Sequence, residues 1–258
     1  MTTKTLFAAA ALVATAILAC PDDARAETVW TPENINRPLT MPASSFAAGA
    51  AFSALPGLDG LELKPFKTFA LGVNGNYGIS DELEVYGAYT YVLDPSNAGQ
   101  LRVGVGYAAV RGAAGGKLEI VPRADLGYNL DPGGLAPLVA GLQLQYTLAP
   151  KFAIVMPATH LSVALEGDAK PITFGVPVGF LFQAAPTFYA QLDTTLATFA
   201  INEDAGDSAF IFDASIPLAL TAAYNSQTLD VGVTVSDDLK NAGDLTSLVV
   251  FARYYGGV

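Results

Sequence analysis

The sequence predicts an all-β fold, a closed antiparallel up-and-down β-barrel of about twelve transmembrane strands, on two observations. First, apolar residues alternate with small or polar ones in one repeated unit after another, and a turn ends each unit. Side chains of a strand point alternately to opposite faces, so each unit has one apolar and one wet face. Second, the units are long enough for tilted strands to cross a bilayer, which takes roughly 9–11 residues each.

The clearest unit spans residues 68–78, whose apolar residues share one face: Phe69, Leu71, Val73 and Tyr77. The chain is 52% hydrophobic with a mean hydropathy of +0.39. After the N-terminus, however, it lacks the roughly 18 consecutive apolar residues of a membrane helix. Hydrophobicity spread at a period of two favours a barrel in lipid. The alternative is a secreted soluble β-sandwich, whose strands also alternate but usually have about 5–6 residues.

Residues 1–26 are predicted to be a secretory signal peptide. The apolar region 6–19 is followed by a small-x-small cleavage site, Ala-Arg-Ala at 24–26. Cys20 leaves lipidation open as an alternative, because the Ile-Leu-Ala before it loosely resembles a lipoprotein processing box. Cleavage after residue 26 would leave a mature chain without cysteine, which excludes thiol catalysis and thiolate metal sites.

The remaining chain divides after residue 45. Residues 27–45 are polar, carry three prolines and show no periodicity, so they are a periplasmic extension or a segment in the lumen. Residues 46–258 are predicted to form the barrel. A first strand at 46–55 and a loop at 55–65 precede eleven further strands: 66–79, 81–93, 99–110, 116–129, 136–148, 151–165, 171–183, 187–199, 208–223, 226–236 and 245–255. An irregularity is expected at Pro157, where the apolar phase changes from even to odd positions.

The lengths of the connections predict the orientation of the strands. Longer loops alternate with very short turns near residues 80, 149–150, 184–186 and 225. Periplasmic turns of such barrels are tight and extracellular loops are longer, so these short turns are assigned to the periplasm. Both chain ends reach the periplasm if 46–55 is a strand, which favours twelve strands and leaves ten and fourteen open.

The outward face follows from the apolar phase of four consecutive strands. It comprises Leu83, Val85, Tyr89, Tyr91, Leu101, Val103, Val105, Tyr107, Leu118, Ile120, Leu126, Tyr128, Leu138, Leu142, Leu144 and Tyr146. A tyrosine recurs near one end of these strands. This recurrence is typical of an aromatic girdle at the lipid headgroups.

The opposite phase predicts the lumen lining. Its candidate residues are polar or charged: Glu82, Glu84, Arg102, Lys117, Glu119, Arg123, Asp125, Gln143, Gln145, Asp193, Asp213, Asp230 and Arg253. A mid-strand charge facing lipid would cost about 2–4 kcal/mol, so these groups are expected to face water or one another. They would form either a polar pore lining or a salt-bridge network that fills a narrow barrel.

The net charge is −11 and no basic cluster is present, so nucleic acid is not an expected partner. His160 and Ser162 share a strand face, but no orienting carboxylate or amide is evident beside them, so no catalytic residue is predicted. Glycine-rich phosphate motifs and histidine clusters are also missing from the sequence. No cofactor or metal site is therefore predicted.

Two strand–turn–strand joints, YGISDELEV at 77–85 and LAPKFAI at 148–154, resemble those of uncharacterised Gram-negative outer-membrane barrels. The resemblance extends over residues 66–255. It implies a porin-like, monomeric barrel in the outer membrane, with lipid and the barrel assembly machinery as partners. Such barrels usually end on an aromatic residue that the machinery reads. Here Tyr255 takes that role ahead of a short tail, or insertion differs from the usual route.

Two functions are compatible with this resemblance. The first is a passive channel for a small polar solute across the outer membrane. The second is a non-transporting structural or surface-interaction barrel whose lumen is filled by salt bridges. No catalytic residues are carried over from the resemblance.

Overall fold

The computed structural model describes the chain in eight stretches: 30–59, 62–94, 98–131, 133–158, 160–166, 172–200, 217–238 and 245–257. Three predictions concern residues outside these stretches. They are the signal peptide 1–26, the alternative role of Cys20 and the candidate lining residue Asp213.

Strands dominate the described residues, as the period of two requires. The segments are β1 Phe46–Asp59, β2 Glu62–Gly78, β3 Leu83–Asp94, β4 Gly99–Tyr107, β5 Val110–Gly112, β6 Leu118–Asn129, β7 Gly134–Leu135, β8 Leu138–Ala149, β9 Phe152–Met156, β10 Leu161–Val163, β11 Ile172–Ala185, β12 Phe188–Ala200, β13 Pro217–Asn225, β14 Leu229–Asp238 and β15 Leu245–Gly256. A 3-10 turn at Asn34–Asn36 and a single helical turn, α1, at Ala113–Gly116 accompany them. None of the helical elements described is long and apolar enough to cross a membrane.

The fifteen segments form one antiparallel sheet that closes on itself. β15 pairs with β1, so that Arg253 lies opposite Gly49. β5 continues β4, β7 precedes β8, and β10 continues β9, each pairing with the same neighbours as the segment it extends. The sheet therefore has twelve strands, which confirms the predicted closed twelve-stranded antiparallel barrel. Closure leaves no unpaired edge, as a barrel in lipid requires.

The two ends of the barrel differ in their connections. One end, here the turn end, carries the start of β1, the end of β15 and the short connections 79–82, 150–151, 186–187 and 226–228. The opposite end, here the loop end, carries the connections 95–98, 130–137, 164–171, 201–216 and 239–244. From residue 130 onward the connections alternate between long and short as predicted. Earlier in the chain they do not, since the loop-end connection 60–61 is short and the turn-end connection 113–117 is longer than 95–98.

The first hairpin is longer than predicted. The sequence analysis placed a loop at 55–65, whereas β1 continues to Asp59 and β2 begins at Glu62, which is its pairing partner. Pro56 cannot donate to the ladder, and the register shifts on both sides of it. These bulges let the strands continue past proline and glycine residues that suggested a loop.

The predicted irregularity at Pro157 is confirmed. The strand stops at Met156 and resumes at Leu161, and the backbone at Ala158 lies outside both segments. It comes so close to Gly141 on β8 that a side chain there would overlap the carbonyl of Ala158. Nearby, His160 donates a hydrogen bond from Nε2 to the carbonyl of Leu142 at 2.9 Å.

Apolar side chains occupy two different environments. Several members of the predicted outward set, among them Val103, Val105 and Leu142, are strongly exposed, as expected of a face that meets lipid. Buried apolar side chains instead gather inside the turn end, in two clusters. One contains Ile35, Ala153, Val155, Leu181, Tyr189 and Ala223, and the other contains Trp30, Met41, Ala47 and Tyr255. The core of the protein is therefore partly made by the segment that precedes β1.

Candidate functional site in the barrel lumen

An ion pair crosses three strands on the inner face of the wall. Glu84 on β3 and Arg123 on β6 both lie opposite Gly106 on β4, and their side chains meet at 2.5 Å above it. A Cβ at Gly106 would already be 3.3 Å from Glu84 Cγ and 3.4 Å from Arg123 Cγ, so glycine makes room for the pair. The Glu84 side chain is 1% exposed, and a carboxylate at that depth needs a cationic partner.

The same arrangement recurs one step along β4. Tyr86 and Asp125 flank Gly104, and the Tyr86 hydroxyl donates to Asp125 Oδ2 at 3.4 Å. Asp125 also pairs with Arg102, whose Nε donates to Gln100 Oε1 at 2.8 Å. Alternate glycines on β4 thus carry a ladder of polar side chains from β3 and β6, which gives this part of the lumen two ion pairs.

Towards the turn end, a further group surrounds Glu119 on β6. Arg111 Nε lies 3.3 Å from Glu119 Oε1, and Glu119 Oε2 accepts the backbone N–H of Leu39 at 3.0 Å. Gln145 on β8 is buried and donates to the carbonyl of Ile35 at 2.7 Å. Both wall residues therefore bind the segment that precedes β1.

On the other side of the barrel, Asp230 on β14 pairs with Arg37 at 2.5 Å and accepts a hydrogen bond from the Tyr255 hydroxyl at 2.7 Å. The Arg37 guanidinium also stacks on two rings, 4.8 Å from the centroid of Tyr255 and 5.2 Å from that of Trp30. Arg253 donates to Asn76 at 2.9 Å. Within the described residues no carboxylate forms a close ion pair with it, although Asp230 lies opposite it across β14 and β15.

The other candidate lining residues lie in more varied places. Asp193 on β12 accepts two hydrogen bonds from Gln191 at 2.9 Å. Gln143 on β8 is half-buried, and its Oε1 has no protein partner. Glu82 lies in the 79–82 turn rather than on a strand, and Lys117 is exposed just after α1 at the turn end. These last two are therefore rim residues, because each falls outside the alternation of a strand.

Sequence reasoning missed several polar residues that contribute to this site. Arg37 binds Asp230, and Gln183 accepts the backbone N–H of Ile35, only once the barrel has folded. No local sequence pattern identified either residue as part of the site. Tyr86 could have been found, since it shares the inward phase of Glu84 and faces a glycine across the strand pair. Asn76 could likewise have been assigned from its wet phase on β2.

Beside a smaller cavity of about 290 Å³ at Asn34, Asp230 and Arg253, two larger cavities remain in the lumen. The deeper one has a volume of about 390 Å³ and is lined by wall residues such as Glu84, Arg123, Gln143 and Arg253. Arg123 Nε and Gln143 Oε1 are buried there without a protein partner. The second cavity, of about 400 Å³, lies at the turn end beside Arg111, Lys117 and Glu119. Among the residues that the structure describes, no group of three or more His, Cys, Asp or Glu side chains could hold a metal ion.

Comparisons with known proteins agree with this geometry at the level of the fold. No protein-family model matches the sequence, and neither does any curated protein. Among solved structures, a KdgM porin in complex with disordered oligogalacturonate is similar, with a TM-score of 0.53 at 8% identity over 81% of this chain and 98% of that one. A NanC porin has a TM-score of 0.51 at 9% identity, with the same coverage. The chain thus has the fold of an outer-membrane porin.

Proposed function

We propose that the protein is a passive channel for small polar solutes across the outer membrane of a Gram-negative bacterium. The observation that carries the proposal is the deeper cavity of about 390 Å³, whose lining includes buried polar atoms that no protein group satisfies. Such atoms need water or a solute as partner. The closed barrel supplies the surrounding wall, and its exposed valines and leucines suit lipid.

The lining also suggests a charge preference. Three arginines, Arg37, Arg123 and Arg253, line the deeper cavity together with one carboxylate, Glu84. Two of these arginines are paired, Arg37 with Asp230 and Arg123 with Glu84, so Arg253 supplies the excess positive charge. Although the whole chain has a net charge of −11, the local field in this cavity is therefore positive, and confinement strengthens it. Anionic solutes should pass more readily than cations of the same size. The similar KdgM porin is described in complex with an oligogalacturonate, which is compatible with that preference.

The second candidate function is a non-transporting structural barrel. Four ion pairs favour it, since Arg37–Asp230, Arg102–Asp125, Arg111–Glu119 and Arg123–Glu84 occupy much of the lumen. No catalytic role is proposed for His160, whose ring nitrogen is bonded to a backbone carbonyl and whose ring lies 6.3 Å from Phe174.

Conductance separates the two candidates. Protein purified from the outer membrane is added to planar lipid bilayers, with boiled protein as the control. Discrete current steps, with a reversal potential displaced towards the equilibrium potential of the anion, support the channel. Arg253→Gln should reduce this displacement of the reversal potential without abolishing the current steps. A folded barrel without current steps would favour the structural role. Folding is checked by migration on SDS gels before and after boiling, and N-terminal sequencing of the same sample tests export with cleavage after Ala26.

A further inference from the structure

The segment 30–45, which precedes β1, contacts the wall on all sides. Its backbone is bound by Glu84 on β3, Glu119 on β6, Gln145 on β8 and Gln183 on β11. Arg37 extends from it to Asp230 on β14. These strands are distributed around the closed sheet, and the atoms that make the contacts lie on its inner face. Such a set of contacts requires the segment to cross the lumen.

Apolar anchors hold the segment at three points along its length. Trp30, Ile35 and Met41 are 5%, 2% and 5% exposed. Ile35 packs among Ala153, Val155, Leu181, Tyr189 and Ala223, whereas Trp30 lies 4.9 Å from Tyr255, ring to ring. Gly78 gives the segment room to leave the lumen, because a side chain there would overlap the carbonyls of residues 41 and 42. The crossing is therefore a packed element of the fold.

The two lumen cavities lie on either side of this crossing. The deeper cavity is lined by wall residues such as Glu84, Gln143 and Arg253, and the other by Arg111, Lys117 and Glu119. Arg37, Pro38 and Gln145 line both. Residues of the segment thus form part of a partition that the two cavities share.

We propose that residues 30–45 are a plug that closes the turn end of the channel, and that its release joins the two cavities into one path. The proposal rests on the channel function above. Arg37 is its central attachment, because its guanidinium binds Asp230 and the carbonyl of Ser226 at 2.6 Å and stacks on the rings of Trp30 and Tyr255. Removing this side chain releases several contacts at once while leaving the strands intact.

The chain provides its own reporter of release, since Trp30 is its one tryptophan. The test compares the whole protein with Arg37→Ala, and with Arg102→Ala as the matched control. Arg102 also belongs to an ion pair with an aspartate, here a partly exposed one, and its partners Asp125 and Gln100 both lie on the wall. Each variant is refolded in vesicles, checked for heat-modifiable migration, and examined for quenching of Trp30 fluorescence by acrylamide and for single-channel conductance.

In Arg37→Ala, quenching of Trp30 should increase, and conductance should rise above that of the wild type as a plugged lumen becomes an open one. Arg102→Ala should leave the quenching of Trp30 at the wild-type level, because the segment 30–45 keeps all its contacts. A chain lacking residues 30–43 should conduct at least as well as Arg37→Ala and gives a second measurement if that variant does not fold. Equal conductance in all variants would overturn the plug alone, and so would raised quenching without a rise in conductance. Absence of current in every variant, including one with exposed Trp30, would overturn both the plug and the channel.

Discussion

The two halves of the barrel wall fill the lumen in different ways. On the half formed by β3, β4, β6 and β8, long polar side chains extend inwards and bind one another, as Glu84 and Arg123 do above Gly106. On the half formed by β13, β14, β15 and β1, many inward positions carry small residues: Ala47, Gly49, Ala51, Ser53, Thr221, Ala223, Gly232 and Thr234. Small residues leave space that a closed barrel of this size must fill with protein or water.

Residues 30–45 compensate for this difference at the turn end. Ile35 packs on Ala223 and its neighbours, and Arg37 reaches Asp230 on the small-residue half. On the polar half, the same segment is held mainly through its backbone, by carboxylates and amides such as Glu84 and Gln145. One side chain adds to this, since the Thr40 hydroxyl donates to the carbonyl of Asp81 at 3.0 Å. Side-chain packing thus holds the segment on one half, and hydrogen bonds, mainly to its backbone, hold it on the other.

The largest effect is expected on the polar half. Glu84→Ala leaves Arg123 without its carboxylate and removes the acceptor of the Met41 N–H, so the free energy of unfolding should fall by about 4 kcal/mol. Urea titration of the protein in lipid vesicles measures this change. A loss as small as that of an ordinary surface substitution would mean that water in the lumen replaces the pair.

The next effect contrasts the outer face of the wall with the inner one. Val103→Arg places a charge on the exposed outer face of β4 and should cost about 3 kcal/mol if the residue lies near the bilayer midplane. Arg102→Gln, one residue away on the inner face, keeps a polar group beside Asp125 and should cost less. Equal or reversed costs in a bilayer refolding titration would contradict the assignment of the two faces.

The barrel itself was largely predictable from the sequence. Alternation at a period of two is local, and it persists through strands such as β4 and β6, where Val103 and Leu126 face outwards and Arg102 and Asp125 pair inwards. The strand count followed from parity, and the slip at Pro157 was visible as a change of phase. The long first hairpin was not predictable, because bulges at Pro56 absorb residues that usually end a strand.

The filling of the lumen could not be predicted in the same way. Arg37 and Asp230 are 193 residues apart in sequence, and no periodicity in 27–45 indicates where that segment lies. The sequence analysis left two alternative locations for this segment, the periplasm and the lumen. Only contacts that form in the closed sheet distinguish between them. The glycines of β4 were partly predictable. Because they have the inward phase, they could have indicated that larger side chains from the neighbouring strands β3 and β6 meet above them.

A smaller effect is expected for the packing of the segment on the small-residue half. Ile35→Ala removes buried methyl groups from the cluster with Leu181 and Ala223 and should cost about 2 kcal/mol, the lower end for such truncations. The cost is limited because the segment can detach while the strands stay paired. Trp30 fluorescence should therefore respond to urea before the far-ultraviolet circular dichroism of the strands does. Coincident transitions would show that the segment and wall unfold as one unit.

The smallest effect is expected where the small-residue half has only a neutral hydrogen bond. Thr221 and Thr234 face each other across β13 and β14, and their hydroxyls are 2.8 Å apart. Thr234→Val keeps the shape and β-branching of the side chain but removes one hydroxyl, so the loss should be about 1 kcal/mol in the same urea titration. Since Glu84→Ala is expected to cost several times more, the pair of variants measures directly how unequally the two halves contribute. A Thr234→Val loss equal to that of Glu84→Ala would contradict the view that ion pairs between two wall residues distinguish the polar half.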